Sequence, residues 1–471
     1  MLGDVNAKIK DGNLGIVQKM GEGVHFKIGA AVKNFNQIMT ITAGMDTEKI
    51  KDKLGDTPLF NAVIDSLAAG CSTIHVIPVE ASVPGSTGAL KTEMVGKGTA
   101  SVEGTPINEY DIVVEFQNDG GFNEATYVVS LDGGSTFSKK TTVPTLGTID
   151  LGVGITLKLQ EHTQKKDSFK AGDRIYFHCT APKLSNENVL NALKLIKTTK
   201  LHFEYIHVVG ESGKALWAAL AIEMQEFFDK YKKPVFCVLE AAGMTTEQNL
   251  DTYVQYLLKE KENIVSRSLQ VVPSRVRFTA KDGKIRSTPL ANIICGLYAR
   301  AKVNTSIGKV EEFPLNGVLG LLPEGIEDYI EILDEAGYTT ARQYIGLEGY
   351  YISNSRSFAP PTSDYVFMEN VRTMYKAVRE VRKQALYKMH MDIDPSEMET
   401  ELAAHEKFLE IPLDAMVVDK EISKGNVIID TNQNILGTSN LKIKVRIVPM
   451  GVVRNMEMEF ALENPYLEQE A

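Results

Sequence analysis

Paired cysteines are missing from this sequence. Its four cysteines, Cys71, Cys179, Cys237 and Cys295, lie far apart, and none forms a CxxC pair. That spacing offers neither a zinc knuckle nor a disulfide framework. Each cysteine sits in or beside an apolar run, which predicts buried free thiols made in a reducing cytoplasm. An excess of positive charge is missing too. Lys and Arg number 51 against 61 Asp and Glu, a net charge of −10, which argues against a nucleic-acid partner. No apolar stretch approaches the ~20 residues that span a bilayer, so membrane insertion is not expected. The start, Met1-Leu2-Gly3-Asp4, has neither the basic nor the apolar region of a signal peptide, so the expected route out of a cell is not the secretory one. Repeats and low-complexity tracts are also lacking.

Four chemistry templates fail as well: a P-loop, a GxGxxG after a strand, a GxSxG and a metal-ligand spacing. The nearest approach is Val208-Val209-Gly210-Glu211-Ser212-Gly213-Lys214-Ala215. A P-loop places four residues between its glycines so that backbone N–H groups wrap a phosphate, and follows Lys with Ser or Thr. Here two residues separate the glycines, and Ala215 cannot hold magnesium. His202 and His207, five apart on a strand, face opposite sides and cannot share a metal. His390, beside Asp392 and Asp394, lies past a helix end and reads as solvated. Glu240 follows an apolar strand, where open α/β folds bind ligands, but no base, nucleophile or phosphate loop accompanies it. No catalytic, cofactor-binding or metal-binding residue is therefore expected, and no cofactor.

What is present is ordinary globular composition, 43% hydrophobic and 24% charged, in a chain long enough for two to four domains. The first twenty residues are polar and Gly-punctuated, with β-like pieces at 5–9 and 14–17 too short to bury a face alone. From residue 24 strands and helices alternate: strands at 25–30, 37–42 and 73–79 around a helix at 57–69. Residues 96–182 change texture, with strands at 111–116, 125–131, 155–159 and 174–179 and a hairpin signal at Asp132-Gly133-Gly134-Ser135. Alternation then resumes, with helices at 188–196, 216–228, 250–258 and 290–301 and strands at 205–209, 235–239 and 269–272. Such alternation implies a mostly parallel sheet covered on both faces.

After Pro360-Pro361 a long helix carries two stripes. Val371, Met374, Tyr375, Val378, Val381, Ala385 and Met389 make an apolar one. Arg372, Lys376, Arg379 and Lys383 make a basic one, either a solvated face or a surface for an acidic partner. The end reads as a hairpin of 442–448 and 453–462 joined by Pro449-Met450-Gly451. Its last strand puts Met456, Met458, Phe460 and Leu462 on one face and Glu457, Glu459 and Glu463 on the other. Its open edge needs a partner, which the amino-terminal pieces offer in cis or from a neighbour.

The fold expected is an α/β core with an inserted all-β sandwich-like module and an α+β C-terminal domain. The boundaries are an amino-terminal arm at 1–20, a discontinuous core at 21–95 and 183–337, the inserted module at 96–182, the α+β domain at 338–450, and a carboxyl-terminal strand or arm at 451–471.

Several stretches resemble contractile phage tail sheath proteins. The run Asp52-Lys53-Leu54-Gly55-Asp56-Thr57-Pro58-Leu59, leading to Ala69-Gly70-Cys71 and the strand at 74–79, is similar to the start of that family. The run from Gly337 to Arg356, with Arg342 and Gly349-Tyr350-Tyr351, is similar to its carboxyl-terminal domain. Phe358-Ala359-Pro360-Pro361, Ser363-Asp364-Tyr365, Glu369-Asn370-Val371-Arg372 and Val448-Pro449 continue the likeness over nearly the whole chain. The nearest pattern is a sheath-like branch found in prophages. Two departures stand out: the β insertion, and Asn354-Ser355-Arg356 where sheaths carry Trp or Gly-Arg-Thr.

The resemblance implies a structural protein and not an enzyme. Stacked hexameric rings would surround a tail tube and contract to drive it through an envelope. Partners would be further sheath copies, the tube protein, and baseplate and tail terminator proteins. Assembly would occur in the bacterial host cytoplasm, ending in a virion tail, tailocin or injection-system particle. Terminal arms would add strands to neighbouring subunits, through Val5, Ile9, Leu14 and Val17 at one end and Met456, Met458, Phe460 and Leu462 at the other. The basic stripe would face the tube. Two rival readings remain at this point: a nucleotide- or ligand-binding α/β enzyme, and a monomeric surface-binding protein using the β insertion.

Overall fold

The strand His25–Ala31 is buried along its whole length, the mark of a central strand covered on both faces. In the computed structural model, residues 22–464 are described, apart from Thr246, Lys281, Asp282 and Lys284. Val5, Ile9, Leu14 and Val17 lie outside the described residues. The central strand belongs to a six-stranded sheet in the order Leu269–Val272, Phe236–Ala241, Tyr205–Ser212, His25–Ala31, Thr73–Glu80, Met39–Thr42. Every neighbour runs parallel except the edge strand Met39–Thr42, which is antiparallel.

Local chemistry starts the connecting helices. Thr57 accepts a hydrogen bond from the Phe60 N–H, with Pro58 in the first turn of Pro58–Ala68. Ser185 and Asn249 form reciprocal capping boxes for Asn186–Thr198 and Leu250–Lys261. Their apolar faces, with those of Lys214–Asp229 and Leu290–Arg300, fill the core around the sheet. Trp217 is fully buried there, edge-on to Tyr338 and Phe358 at 6.3 and 5.6 Å between ring centres.

The sheath-like run thus packs into the central core. Tyr338, Ile352, Phe358, Met368, Val371 and Tyr375 all belong to it. The boundary expected at 338 is corrected accordingly. The chain divides into one unit reaching Arg379 and a second made of Asn304–Ser306 and the residues from Glu380 onward. The helix Met368–Leu386 spans that division.

Antiparallel strands occupy the stretch between residues 86 and 180, starting ten residues before the expected boundary at 96. One sheet holds Tyr110–Phe116, Thr126–Ser130 and Arg174–Thr180 with short flanking strands; the other holds Thr99–Gly104, Thr148–Asp150 and Ile155–Gln160. Alternate residues point inward, and Ile112, Val114, Phe116, Leu157, Phe169 and Ile175 share one apolar core. A second small sheet, Arg275–Thr279 with Ile285–Pro289 and Val318–Leu322, also belongs to the first unit.

The second unit is α+β. The helix Met398–Val418 buries Leu402, Leu409, Leu413 and Met416, and the strand Ile422–Ile429 packs on it through Ile422, Val427 and Ile429. The expected terminal hairpin is corrected here. Ile443–Pro449 pairs antiparallel with Ile422–Ile429, in register from Lys424↔Val448 to Ile429↔Ile443 with a shift between Ile422 and Lys424, and residues 451–464 form no regular element. The physical reason is the helix: an apolar strand face needs a surface to lie on, and within the subunit that surface takes Ile422–Ile429. The molecule as a whole is a mixed α/β fold with several sheets and an α+β carboxyl-terminal region.

Candidate assembly site

The two-stranded sheet of the second unit has two edges, and they are treated differently. On the outer edge of Ile422–Ile429, the Val427 N–H donates to Glu410 Oε1 at 3.1 Å and the Ile429 N–H to Glu406 Oε1 at 2.5 Å. Both glutamates come from the helix Met398–Val418. A hydrogen bond from Lys407 holds the Glu410 carboxyl below its usual range and so keeps it an acceptor. The strand lies flush on this helix at Gly425, where a Cβ would stand 2.7 Å from Leu413 Cβ. That edge is closed. Among the described residues no strand pairs with the outer edge of Ile443–Pro449, so that edge stays open.

The open strand alternates. Lys444 and Arg446 are exposed on one face, continuing Lys442, while Ile443 and Ile447 are half-buried on the other, beside Val445. Just beyond it, Met456, Met458, Phe460 and Leu462 are 74, 72, 86 and 105% exposed. Glu457 and Glu459 lie between them, and Glu463 follows. Four large apolar side chains held in water and spaced by two carry the alternation of a strand face, although the segment pairs with no strand among the described residues. The positions expected for linking are thus accessible at this end.

The basic stripe is not one surface. Arg372 is completely buried: Nε donates to Glu204 Oε1 at 2.5 Å and Nη2 to Glu204 Oε2 at 3.1 Å, with the guanidinium 4.5 Å from the Tyr298 ring centre. Burial alone would raise the Glu204 carboxyl, but the Arg372 charge and hydrogen bonds outweigh it and hold it below its usual range. Lys376 and Arg379 both reach the Glu22 carboxylate, at 3.4 and 3.0 Å. Lys383 is exposed. Arg372 is therefore withdrawn from any partner surface, because a carboxylate buried beside it needs a counter-charge.

The enzyme-like features resolve differently. The N terminus of Lys214–Asp229, where a P-loop would cradle phosphate, is taken by Glu260, which accepts from the Lys214 N–H at 2.7 Å. Glu240 lines a cleft of about 490 Å³ at the carboxyl ends of the parallel strands. Behind it runs a buried chain: Lys27 Nζ donates to His207 Nδ1 at 2.6 Å, and His207 Nε2 donates to Glu240 Oε1 at 3.1 Å. Burial pushes the Glu240 carboxyl up to about 7, against the pull of Arg275 and Lys27. Burial and the Lys27 charge hold the His207 imidazole well below its ordinary value. The adjacent hydroxyl, Ser212, is committed to structure, donating to the Glu240 carbonyl at 2.6 Å and accepting from the Trp217 indole at 2.8 Å. The arrangement can hold a proton near neutrality.

Sequence reasoning missed the closed edge and this chain. It singles out His207 and Glu240 separately, and the signal it overlooks is Lys27, a single charge within the apolar run of His25–Ala31.

Comparison with known structures gives the fold. The sheath of an extracellular contractile injection system, PVC, in its contracted state is 10% identical, with 100% of this chain and 99% of that chain covered and a TM-score of 0.55. The contracted helical sheath of the anti-feeding prophage is 10% identical over 98% of this chain and 100% of that chain, with a TM-score of 0.52. A sheath tail protein from Desulfitobacterium hafniense is 12% identical over 95% of this chain and 100% of that chain, with a TM-score of 0.48. None of the curated proteins matches. The first two likenesses establish a shared fold with contractile sheath subunits. With residues 2–356 matching the model "DUF2586, N-terminal domain" and residues 364–467 matching "DUF2586, C-terminal domain", the chain belongs to the DUF2586 family.

Proposed function

We propose that this chain is a structural, non-catalytic subunit of a contractile tail sheath, polymerising as stacked hexameric rings around a tail tube and contracting to drive the tube through an envelope. Its partners on this reading are further copies of itself, the tube protein, and baseplate and terminator proteins. It assembles in the bacterial cytoplasm and ends in a phage tail or injection particle. The observation that carries the reading is the pairing of an open strand edge with an exposed, strand-patterned segment in the same chain. The fold shared with two contracted sheaths supports it.

In the link itself, residues 453–462 of one subunit add a strand to Ile443–Pro449 of another, or to the equivalent edge built with its amino-terminal arm. Burying Met456, Met458, Phe460 and Leu462 contributes ~1.5–3 kcal/mol for each side chain fully removed from water. Pairs between Glu457 or Glu459 and Lys444 or Arg446 add ~0.2–1 kcal/mol each on the solvent side. The apolar face therefore fixes register, since a one-residue slip would turn the glutamates inward. The charges then select the partner strand.

Proline at Met458 removes a ladder donor from the incoming strand at a position that is 72% exposed and outside any regular element of the subunit. The expected outcome is a folded protein, by thermal melt, that forms no tubes by electron microscopy. Lys444→Glu with Arg446→Glu should shorten tubes, and adding Glu457→Lys with Glu459→Lys should restore them. Normal sheaths from the Met458→Pro protein would end this reading of the segment.

A further inference from the structure

The chain is pinned with unusual care at the point where the described residues begin. Gly23 has φ +87°, and a Cβ there would collide with the Ala299 backbone, so the chain can lie against Leu290–Arg300 only as glycine. The Gly23 N–H donates to Glu204 Oε2 at 2.7 Å, the oxygen that also binds Arg372. The Gly23 carbonyl lies 2.9 Å from His25 Nδ1, and the Val24 carbonyl accepts from the Glu204 N–H at 2.7 Å. One residue earlier, the Glu22 carboxylate sits between Lys376 and Arg379, with side chains only 20, 17 and 13% exposed. Arg379 also donates to the Pro234 carbonyl at 3.3 Å, which fixes the guanidinium independently of Glu22.

A strand already hydrogen-bonded into a sheet from His25 onward needs none of this to fold. The contacts act on what precedes the strand. Arg372, Lys376 and Arg379 recur at helical spacing on Met368–Leu386, so one helix face holds residue 23 through Glu204 and residue 22 directly. We infer that Glu22, clamped by Lys376 and Arg379, is a positioning residue that fixes where residues 1–21 leave the subunit and so sets the length and direction of an intersubunit link. This rests on the proposed linking role of the amino-terminal arm. Without the clamp, each residue peeled from the subunit lengthens the tether by ~3.3–3.6 Å. That slack would let neighbouring subunits drift out of a common spacing.

The test uses the full-length protein with Glu22→Lys, Arg379→Glu, and the exchange Glu22→Arg with Arg379→Glu. Amide exchange at Gly23 and Val24 should quicken at least tenfold in each single variant while the thermal midpoint holds. Tubes seen by electron microscopy should become irregular or short. The exchanged pair should recover slow exchange and regular tubes, which a role in bulk stability alone would not predict. Unchanged exchange at Gly23 and Val24 in Glu22→Lys overturns the clamp. Quickened exchange with regular tubes of normal length overturns its positioning role. A protein lacking residues 1–20 serves as the control: if it still forms normal tubes, the linking role of the arm falls, whatever the exchange data show for the clamp.

Discussion

Replacing Arg372 by methionine separates a buried ion pair from a solvated stripe. The guanidinium is 0% exposed and its partner Glu204 1%. Methionine keeps most of the volume and removes the charge, leaving in the core a carboxylate that has lost both guanidinium hydrogen bonds and keeps the Gly23 N–H. Breaking one side of such a pair costs ~3–5 kcal/mol, whereas substitution at an exposed site stays within ~0.5 kcal/mol. Lys383→Met, on the same helix but exposed, is the matched control. The protein has a single tryptophan, Trp217, buried in the first unit, so urea unfolding followed by its fluorescence reports that unit. The midpoint should fall sharply for Arg372→Met and hardly move for Lys383→Met. Adding Glu204→Gln to Arg372→Met should return part of the loss, because the stranded charge is gone. The Glu204 carboxyl lies below its ordinary range, so the contribution of the pair is complete above ~4.3, the unfolded value, and is lost as pH falls through the folded one. Equal midpoints for Arg372→Met and Lys383→Met would refute the buried-pair argument.

Two further outcomes follow from the first unit. Glu240 is raised from 4.5 to about 7, so its contribution to stability is present at low pH and lost as pH rises through that window; His25 and His207, held below their ordinary values, lose theirs as pH falls. Between pH 5 and pH 8, Glu240→Gln should therefore gain up to about 3 kcal/mol relative to the natural chain, and a pH-independent difference in urea unfolding would sink the assignment. Replacing residues 84–182 with a short Gly-Ser turn should leave the Trp217 transition cooperative, because Val83 and Lys183 already exchange backbone hydrogen bonds at 3.1 and 2.9 Å. The main links lost are Arg275–Glu109 and Tyr110–Asp56, each worth about 1 kcal/mol or less, and a non-cooperative transition would refute the independence of the insertion.

The central sheet was legible because its signals are local. Thr57-Pro58 starts a helix by itself, and the runs at 236–241 and 269–272, apolar but for Glu240 and Gln270, are what a doubly covered strand requires. The helix Met398–Val418 was not legible: Pro412 lies inside it, where proline normally ends a helix. The strand Ile422–Ile429 was hidden by Ser423-Lys424-Gly425-Asn426 at its start. The basic stripe shows a different failure. Its spacing was visible, but the groups that bury it, Glu204 and Glu22, are 168 and 357 residues away from their partners. No window on the sequence contains both ends of such a pair.

The terminal segment shows how a strand pattern can be visible in a sequence while its partner is not. Alternation at 453–462 specifies a strand with one apolar face, and the local reading supplied the nearest strand as its mate. The subunit had already given that strand to Ile422–Ile429. Lysine and arginine along Ile443–Pro449 have a competing explanation, since charged side chains on an edge commonly exist to repel other strands. Two features weigh against it. A chain protecting itself would guard both edges, yet the edge beside the helix is capped by Glu406 and Glu410 while this one carries only charge. A gatekeeper also needs no complement, yet the same chain carries Glu457 and Glu459 at the matching two-residue interval, with Glu463 on the same alternation four residues on. Charge that repels a chance neighbour and attracts a sister segment makes the open edge selective, which is what ordered addition of identical subunits requires.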